Sequence, residues 1–166
     1  MKLWIAQGFG VGRIPFAPGT FGSLLGLGWF GLLLYPRSWW IFGPGVALGF
    51  ALSVWLCGVG AMQLHQKDPG SVVLDEITAI PLCFVSAIWI VLHRHQPWPG
   101  PDWFFSAAHG AETAGIFILF RIFDILKPWP VRQSQNLYGG LGITIDDFLA
   151  AVYVNLVVLV ISRFVQ

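Results

Sequence analysis

The residues with chemistry to offer crowd into one stretch. From Arg121 to Asp147 the chain reads R-I-F-D-I-L-K-P-W-P-V-R-Q-S-Q-N-L-Y-G-G-L-G-I-T-I-D-D, which holds Arg121, Asp124, Lys127, Arg132, Asp146 and Asp147. Asp75 and Glu76 form a second acidic pair upstream, so five of the eight carboxylates in the chain lie in these two places. Arg121, Lys127 and Arg132 offset only part of that charge. Acids in excess repel a phosphate unless a cation intervenes. Oxygen-only ligands favour magnesium (Mg2+), which takes one or two carboxylates together with waters and phosphate oxygens. Such an ion polarises a phosphoryl group and acidifies its bound water. Arginine and lysine then hold the remaining phosphate oxygens.

Each piece also has a plainer reading. Asp124 lies three residues from both Arg121 and Lys127, a spacing that gives ion pairs on a helix surface. Thr144 and Asp147 have the spacing of a capping box, and Asp75 can cap the helix that follows it. What favours a common site is where the elements carry these residues.

The composition describes a membrane protein. Hydrophobic residues make up 56% of the 166-residue chain and charged residues 10%, with a mean hydropathy of +0.72. Soluble domains carry roughly 25% charge. The expected fold is all-α, a polytopic membrane protein forming a small bundle of about four to five transmembrane or partly inserted helices. Length points to one domain over residues 1–166. A net charge of +1 gives no reason to expect nucleic-acid binding. Cys57 and Cys83 fall inside apolar runs and suggest neither a disulfide framework nor a zinc site.

In order, a Gly/Pro-rich entry loop occupies residues 1–23. Its Gly8, Gly10 and Gly12 lack the preceding strand and following Gly-Lys of a nucleotide loop. Thr20 or Ser23 is expected to cap a first helix from about Ser23 to Tyr35, whose N–H groups favour an anion. Further helices are expected at about Trp39–Met62, Ile77–Leu92, Trp103–Leu126 and Asp146–Phe164. Gly22/Gly26 and Gly45/Gly49 read as close-packing faces within the monomer. His109 and Glu112 read as a pair inside the fourth helix, for which paired packing or a water-filled crevice is favoured over chemistry.

If the N-terminus is cytoplasmic and all five helices cross, Lys2, Arg13, Lys67, Arg121, Lys127 and Arg132 share one side. Arg37, Arg94 and Arg163 fall on the other. The positive-inside bias then brings the entry loop, Asp75–Glu76 and residues 121–147 together at the cytoplasmic interface.

Four blocks in this order resemble the phosphatidylglycerophosphatase A family: P-F-A-P-G-T-F-G-S at 15–23, D-E at 75–76, F-R-I-F-D-I-L-K-P-W-P at 120–130, and G-G-L-G-I-T-I-D-D-F-L-A at 139–150. Ala79 and Ala151 stand where the family pattern usually has glycine, small-for-small changes that bear on packing rather than on ligands. The resemblance implies a magnesium-dependent enzyme of the bacterial inner membrane that removes the terminal phosphate of phosphatidylglycerol phosphate on the cytoplasmic face. Its acidic motif residues map onto Asp75, Glu76, Asp124, Asp146 and Asp147, the expected metal and water-activating set. Its basic ones map onto Arg121 and Lys127, the expected phosphate clamp, with Arg132, Thr20 and Ser23 as further phosphate donors. No D-x-D-x-T, R-H-G or S-R-x5-H phosphatase motif is present, and neither cysteine begins a C-x5-R loop. The competing classes are a catalytically inactive lipid-phosphate binding protein and a small cation carrier. Carriers place ionisable groups on broken helices near the midplane, whereas these acids are expected at helix ends.

Overall fold

The computed structural model describes residues 1–164, and among them every regular element is helical. α1 (Lys2–Ala6) and an irregular turn over Gly8–Arg13 form the entry. They grip the segment that leads into Asp75. The Gln7 side chain donates to Ser71 Oγ at 3.1 Å, Arg13 Nε donates to Gln7 Oε1 at 2.8 Å, and Val73 N donates to the Ala6 carbonyl at 3.0 Å. At Gly12 the backbone passes so close to the Ser71 carbonyl that a Cβ would collide with it.

α2 (Pro18–Leu34) begins earlier than expected, with Ala17 rather than Thr20 or Ser23 at the N-cap. Proline at the first helical position needs no hydrogen-bond partner for its nitrogen, and this starts the helix. Gly22 and Gly26 then let α4 (Leu74–Cys83) approach closely. A Cβ on Gly22 would lie 2.8 Å from Val73 Cβ, and one on Gly26 would lie 2.7 Å from Ile80 Cγ1. α3 (Trp39–Leu64) is capped by Ser38, whose hydroxyl accepts from Trp40 N at 3.2 Å. A Cβ on Gly45 would meet Leu33 Cδ2 at 2.5 Å and one on Gly49 would meet Thr78 Cβ at 3.3 Å. Both glycine pairs therefore serve packing within the monomer, as their spacing suggested.

The third expected helix is broken. Pro81 removes a backbone donor, α4 ends at Cys83, and α5 (Val85–His93) resumes after Phe84. In lipid every freed backbone group needs a partner within the protein, and Asn155 supplies it. Its Oδ1 accepts from Ser86 N at 2.7 Å, while its Nδ2 donates to the carbonyls of Leu82 and Ala151, each at 2.7 Å.

The fourth expected helix is also two pieces, α6 (Pro101–Phe104) and α7 (Gly110–Leu126). His109 is the N-cap residue of α7, stacked on Trp103 with centroids 3.6 Å apart, and Glu112 is exposed in the first turn. The pair is thus at a helix start rather than buried mid-helix, and for His109 the packing role holds. After the short α8 (Val131–Ser134), α9 (Gly140–Phe164) starts six residues before the expected Asp146. Gly140 allows this, because its backbone rests on α3 where a Cβ would strike the Val54 carbonyl.

Among the described residues three stretches are long and apolar enough to cross a membrane, Trp39–Leu64, the broken Leu74–His93 and Gly140–Phe164, with α2 shorter at 17 residues. An aromatic core fills the end of the bundle remote from the acids. Phe30 stacks on Phe84 at 4.0 Å, with Phe104 at 5.1 Å and Phe42 at 6.3 Å edge-on. Trp39 and Trp98 meet edge-on beyond it, near the Arg37–Asp102 ion pair. Leu48, Trp55, Leu156 and Val160 stay exposed on the outer faces of α3 and α9, as expected where lipid replaces water. Both cysteines are free and buried.

Candidate active site

Three helix ends and the start of α2 bring the acids together at one end of the bundle. Asp75 and Glu76 stand in the first turn of α4, Asp124 in the last turn of α7, and Asp146 and Asp147 in the second turn of α9. Asp75 therefore does not cap α4, whose N-cap is Val73. Nor do Thr144 and Asp147 form a capping box. Thr144 is fully buried and its hydroxyl pairs with Ser53 Oγ at 3.0 Å, joining α9 to α3.

The five acids divide by what they touch. Asp75, Glu76 and Asp147 each bring a carboxylate oxygen within 4.8 Å of the others. Glu76 Oε2 is buried with no hydrogen-bond partner among the described residues. Two ionised carboxylates at this spacing repel by roughly 3–4 kcal/mol at an effective dielectric of about 20. A cation in their midst would offset that repulsion. An oxygen-only donor set with one oxygen left over fits a hard divalent cation, and these three residues can hold a metal ion. Gly19 keeps the space above them clear, since a Cβ there would strike Glu76 Oε1 and lie 3.3 Å from Arg121 Nη2.

Asp124 and Asp146 are engaged by cations instead. Arg121 Nη1 pairs with Asp124 Oδ2 at 2.8 Å and donates to Ser23 Oγ at 3.1 Å, leaving its buried Nε unpartnered. Lys127 Nζ lies 2.5 Å from Asp146 Oδ2 and 3.9 Å from Asp124 Oδ1. Burial pulls the Lys127 ammonium down, but its hydrogen bond to Asp146 and the charges of Asp146, Asp147 and Asp124 outweigh that, and the net direction is up. Lys127 itself terminates α7 in the left-handed conformation (φ 45°), which turns the chain toward α9.

Residues 4–162 match the phosphatidylglycerophosphatase A family. The chain belongs to this family. It is 37% identical to phosphatidylglycerophosphatase A of Escherichia coli K12 over 89% of this chain and 76% of that one. It is 39% identical to the Haemophilus influenzae protein of the same name, over 95% and 86% of the two chains. A Bacteroides thetaiotaomicron protein with the provisional name phosphatidylinositol-3-phosphatase is 34% identical over 99% of this chain and 95% of its own. No solved structure matches. As a member of the phosphatidylglycerophosphatase A family, the chain is a phosphoric monoester hydrolase.

Within this family member the remaining expected site residues are placed as follows. Ser23 is fully buried, donates to the Gly19 carbonyl at 2.8 Å and orients Arg121. Thr20 is half-buried in the first turn of α2. Arg132 is exposed on α8, and makes no ion pair among the described residues. Ala79 and Ala151 are fully buried in helix contacts, which agrees with a packing role. Two participants escaped the sequence reading. Gly19 was visible only as part of a turn-rich block, and Gln135, which donates to Asp146 Oδ2 at 2.9 Å, sits in an unremarked polar run.

Proposed function

We propose that this protein hydrolyses the terminal phosphate of phosphatidylglycerol phosphate in a magnesium-dependent reaction, giving phosphatidylglycerol and inorganic phosphate. The observation that carries this reading is the convergence of Asp75, Glu76 and Asp147 within 4.8 Å, flanked by Arg121 and Lys127. The names of the Escherichia coli and Haemophilus influenzae relatives supply the substrate.

Asp75, Glu76 and Asp147 are the residues that would hold the cation, which when bound supplies charge neutralisation at the phosphate and a more acidic water. Arg121, fixed by Asp124 and Ser23, would offer a phosphate oxygen the Nη2 that lies beside Gly19. Lys127, between Asp124 and Asp146, offers a second positive charge. The overall step is displacement at phosphorus. A water oxygen gives up a proton and forms the new P–O bond, the bond to the glycerol oxygen breaks, and that oxygen takes up a proton and leaves as the alcohol. The positive-inside rule, applied to Lys2, Arg13, Lys67, Arg121, Lys127 and Arg132 as residues of one side, supports a cytoplasmic site in a bacterial inner membrane. The acyl chains then remain in the bilayer while the headgroup reaches the acids at its edge.

The name of the Bacteroides thetaiotaomicron relative favours a second reading, a phosphoinositide substrate. One assay addresses both. Detergent-purified protein is given phosphatidylglycerol phosphate or phosphatidylinositol 3-phosphate, with magnesium or with chelator, and released phosphate is measured. Magnesium-dependent release from the first lipid is the expected result. Release from only the second would replace the substrate, and release from neither by folded protein would leave a lipid-phosphate binding protein.

A further inference from the structure

Lys127 has two tasks in the proposed site, and they conflict. It pairs with Asp146 at 2.5 Å, and it is the cation offered to the phosphate from that side. Turning to the phosphate would strand Asp146, which is buried in the second turn of α9. A buried acceptor stripped of its donor costs more than the lost bond, because water cannot replace it.

Gln135 resolves the conflict. Its Nε2 donates to Asp146 Oδ2 at 2.9 Å, the same oxygen that Lys127 approaches. The other oxygen, Oδ1, accepts from the Asp147 backbone N–H at 3.1 Å. Asp146 therefore keeps a donor on each oxygen when Lys127 leaves. Gln135 is neutral, so it shares the carboxylate without competing for the phosphate. It is also well anchored. It follows α8 directly, Val131 of α8 is fully buried, and Tyr153 of α9 holds the Trp129 carbonyl in the same connection.

We infer that Gln135 is a positioning residue for phosphate binding: it holds Asp146 so that Lys127 can move between that carboxylate and the substrate. The inference rests on the phosphatase reading above, and extends it to a residue outside the motif blocks. Without Gln135, Asp146 has only Lys127 to satisfy Oδ2 and retains it more strongly. Substrate then competes less well for the lysine, and the loss falls on binding.

The test uses Gln135→Met, which keeps the length of the side chain and removes its donor, with Gln135→Ala as a second variant. In magnesium-dependent phosphate release, KM is expected to rise about tenfold with kcat within about twofold, the size of effect expected for a hydrogen bond to a charged group. Asp146→Asn is itself expected to lose turnover, so that background is read by calorimetric binding of inorganic phosphate to the magnesium-loaded protein: with no carboxylate to hold, adding Gln135→Met should weaken binding little further. Equal effects in both backgrounds, or an unchanged KM, would overturn the inference. A readout that needs no turnover is inorganic phosphate binding to the magnesium-loaded protein by calorimetry. It should weaken by a similar factor in Gln135→Met, and equal affinity would overturn the inference. Failure of the wild type to release phosphate would instead count against the phosphatase reading, with the calorimetric comparison still deciding the role of Gln135.

Discussion

Arg121 donates to the Ser23 hydroxyl at 3.1 Å across 98 positions of sequence. The contact joins the entry block to the F-R-I-F-D block, and the Ser23 hydroxyl is itself aimed by its bond to the Gly19 carbonyl. Arg121 is thereby held between Ser23 and Asp124, with its Nε edge unpaired. Ser23→Ala should loosen this arrangement without exposing a charge. The expected result is a KM raised about fivefold, corresponding to roughly 1 kcal/mol, with kcat nearly unchanged. A fall in kcat at constant KM would show that Ser23 acts otherwise than through Arg121.

Gly19→Ala tests the cleared space above the acids. The added methyl would strike Glu76 Oε1 and crowd Arg121 Nη2, where the proposed phosphate must enter. Activity should fall by orders of magnitude, while alanine's better helix propensity, worth about 1 kcal/mol, limits the damage to stability. Gly28→Ala is the matched control on the same helix, because a Cβ there meets nothing within 4 Å. Comparable loss in both variants would mean that the effect is not local.

Metal binding can be read without catalysis. A ligand at 100 times its Kd stabilises the folded state by about 2.7 kcal/mol, so magnesium should raise the unfolding temperature and chelator should lower it. Asp147→Asn or Glu76→Gln should abolish that rise together with activity. Asp124→Asn and Asp146→Asn should lose activity yet keep most of the rise, since both carboxylates are engaged by Arg121 or Lys127. An equal loss of the thermal response in all four variants would show that the acids act as one ligand set.

The gathering of the charged residues was more legible in the sequence than the local structure that gathers them. The acids and their two cations were legible because charge is scarce in this chain and each such residue stands out. Their common location followed from counting helix crossings. Helix starts were not legible for Asp75 and Asp147. Capping residues were sought where polar side chains stood, but Pro18 starts α2 and Gly140 starts α9, the latter through backbone contact with α3. The division of the five acids was equally hidden, because it depends on which oxygen Lys127 and Gln135 occupy.

Lys127 gives a pH prediction with a definite sign. Its ammonium is raised above the ordinary lysine value in the folded state, near 10.4 when unfolded. A raised lysine contributes stability fully below the unfolded value and loses it as pH rises through the folded one. The difference in unfolding temperature between wild type and Lys127→Met should therefore stay flat from neutral pH to about pH 10, then shrink. A difference that vanished near neutrality would mean that Lys127 is not held by the carboxylates around it.

Asn155 separates the architecture from the chemistry. It lies about 12 Å along α9 from Asp147, at a rise of roughly 1.5 Å per residue, and satisfies Ser86 N and the Leu82 carbonyl where α4 breaks. Asn155→Ala would leave both backbone groups without that partner in an apolar interior. Each unsatisfied group costs about 1–3 kcal/mol, so unfolding in detergent should shift strongly. The acids at the far end of the same helices keep their own contacts, and the magnesium-induced rise in unfolding temperature should survive. If the rise disappears while the variant remains folded, the Asn155 bridge also sets the spacing of Asp75 and Glu76 from Asp147.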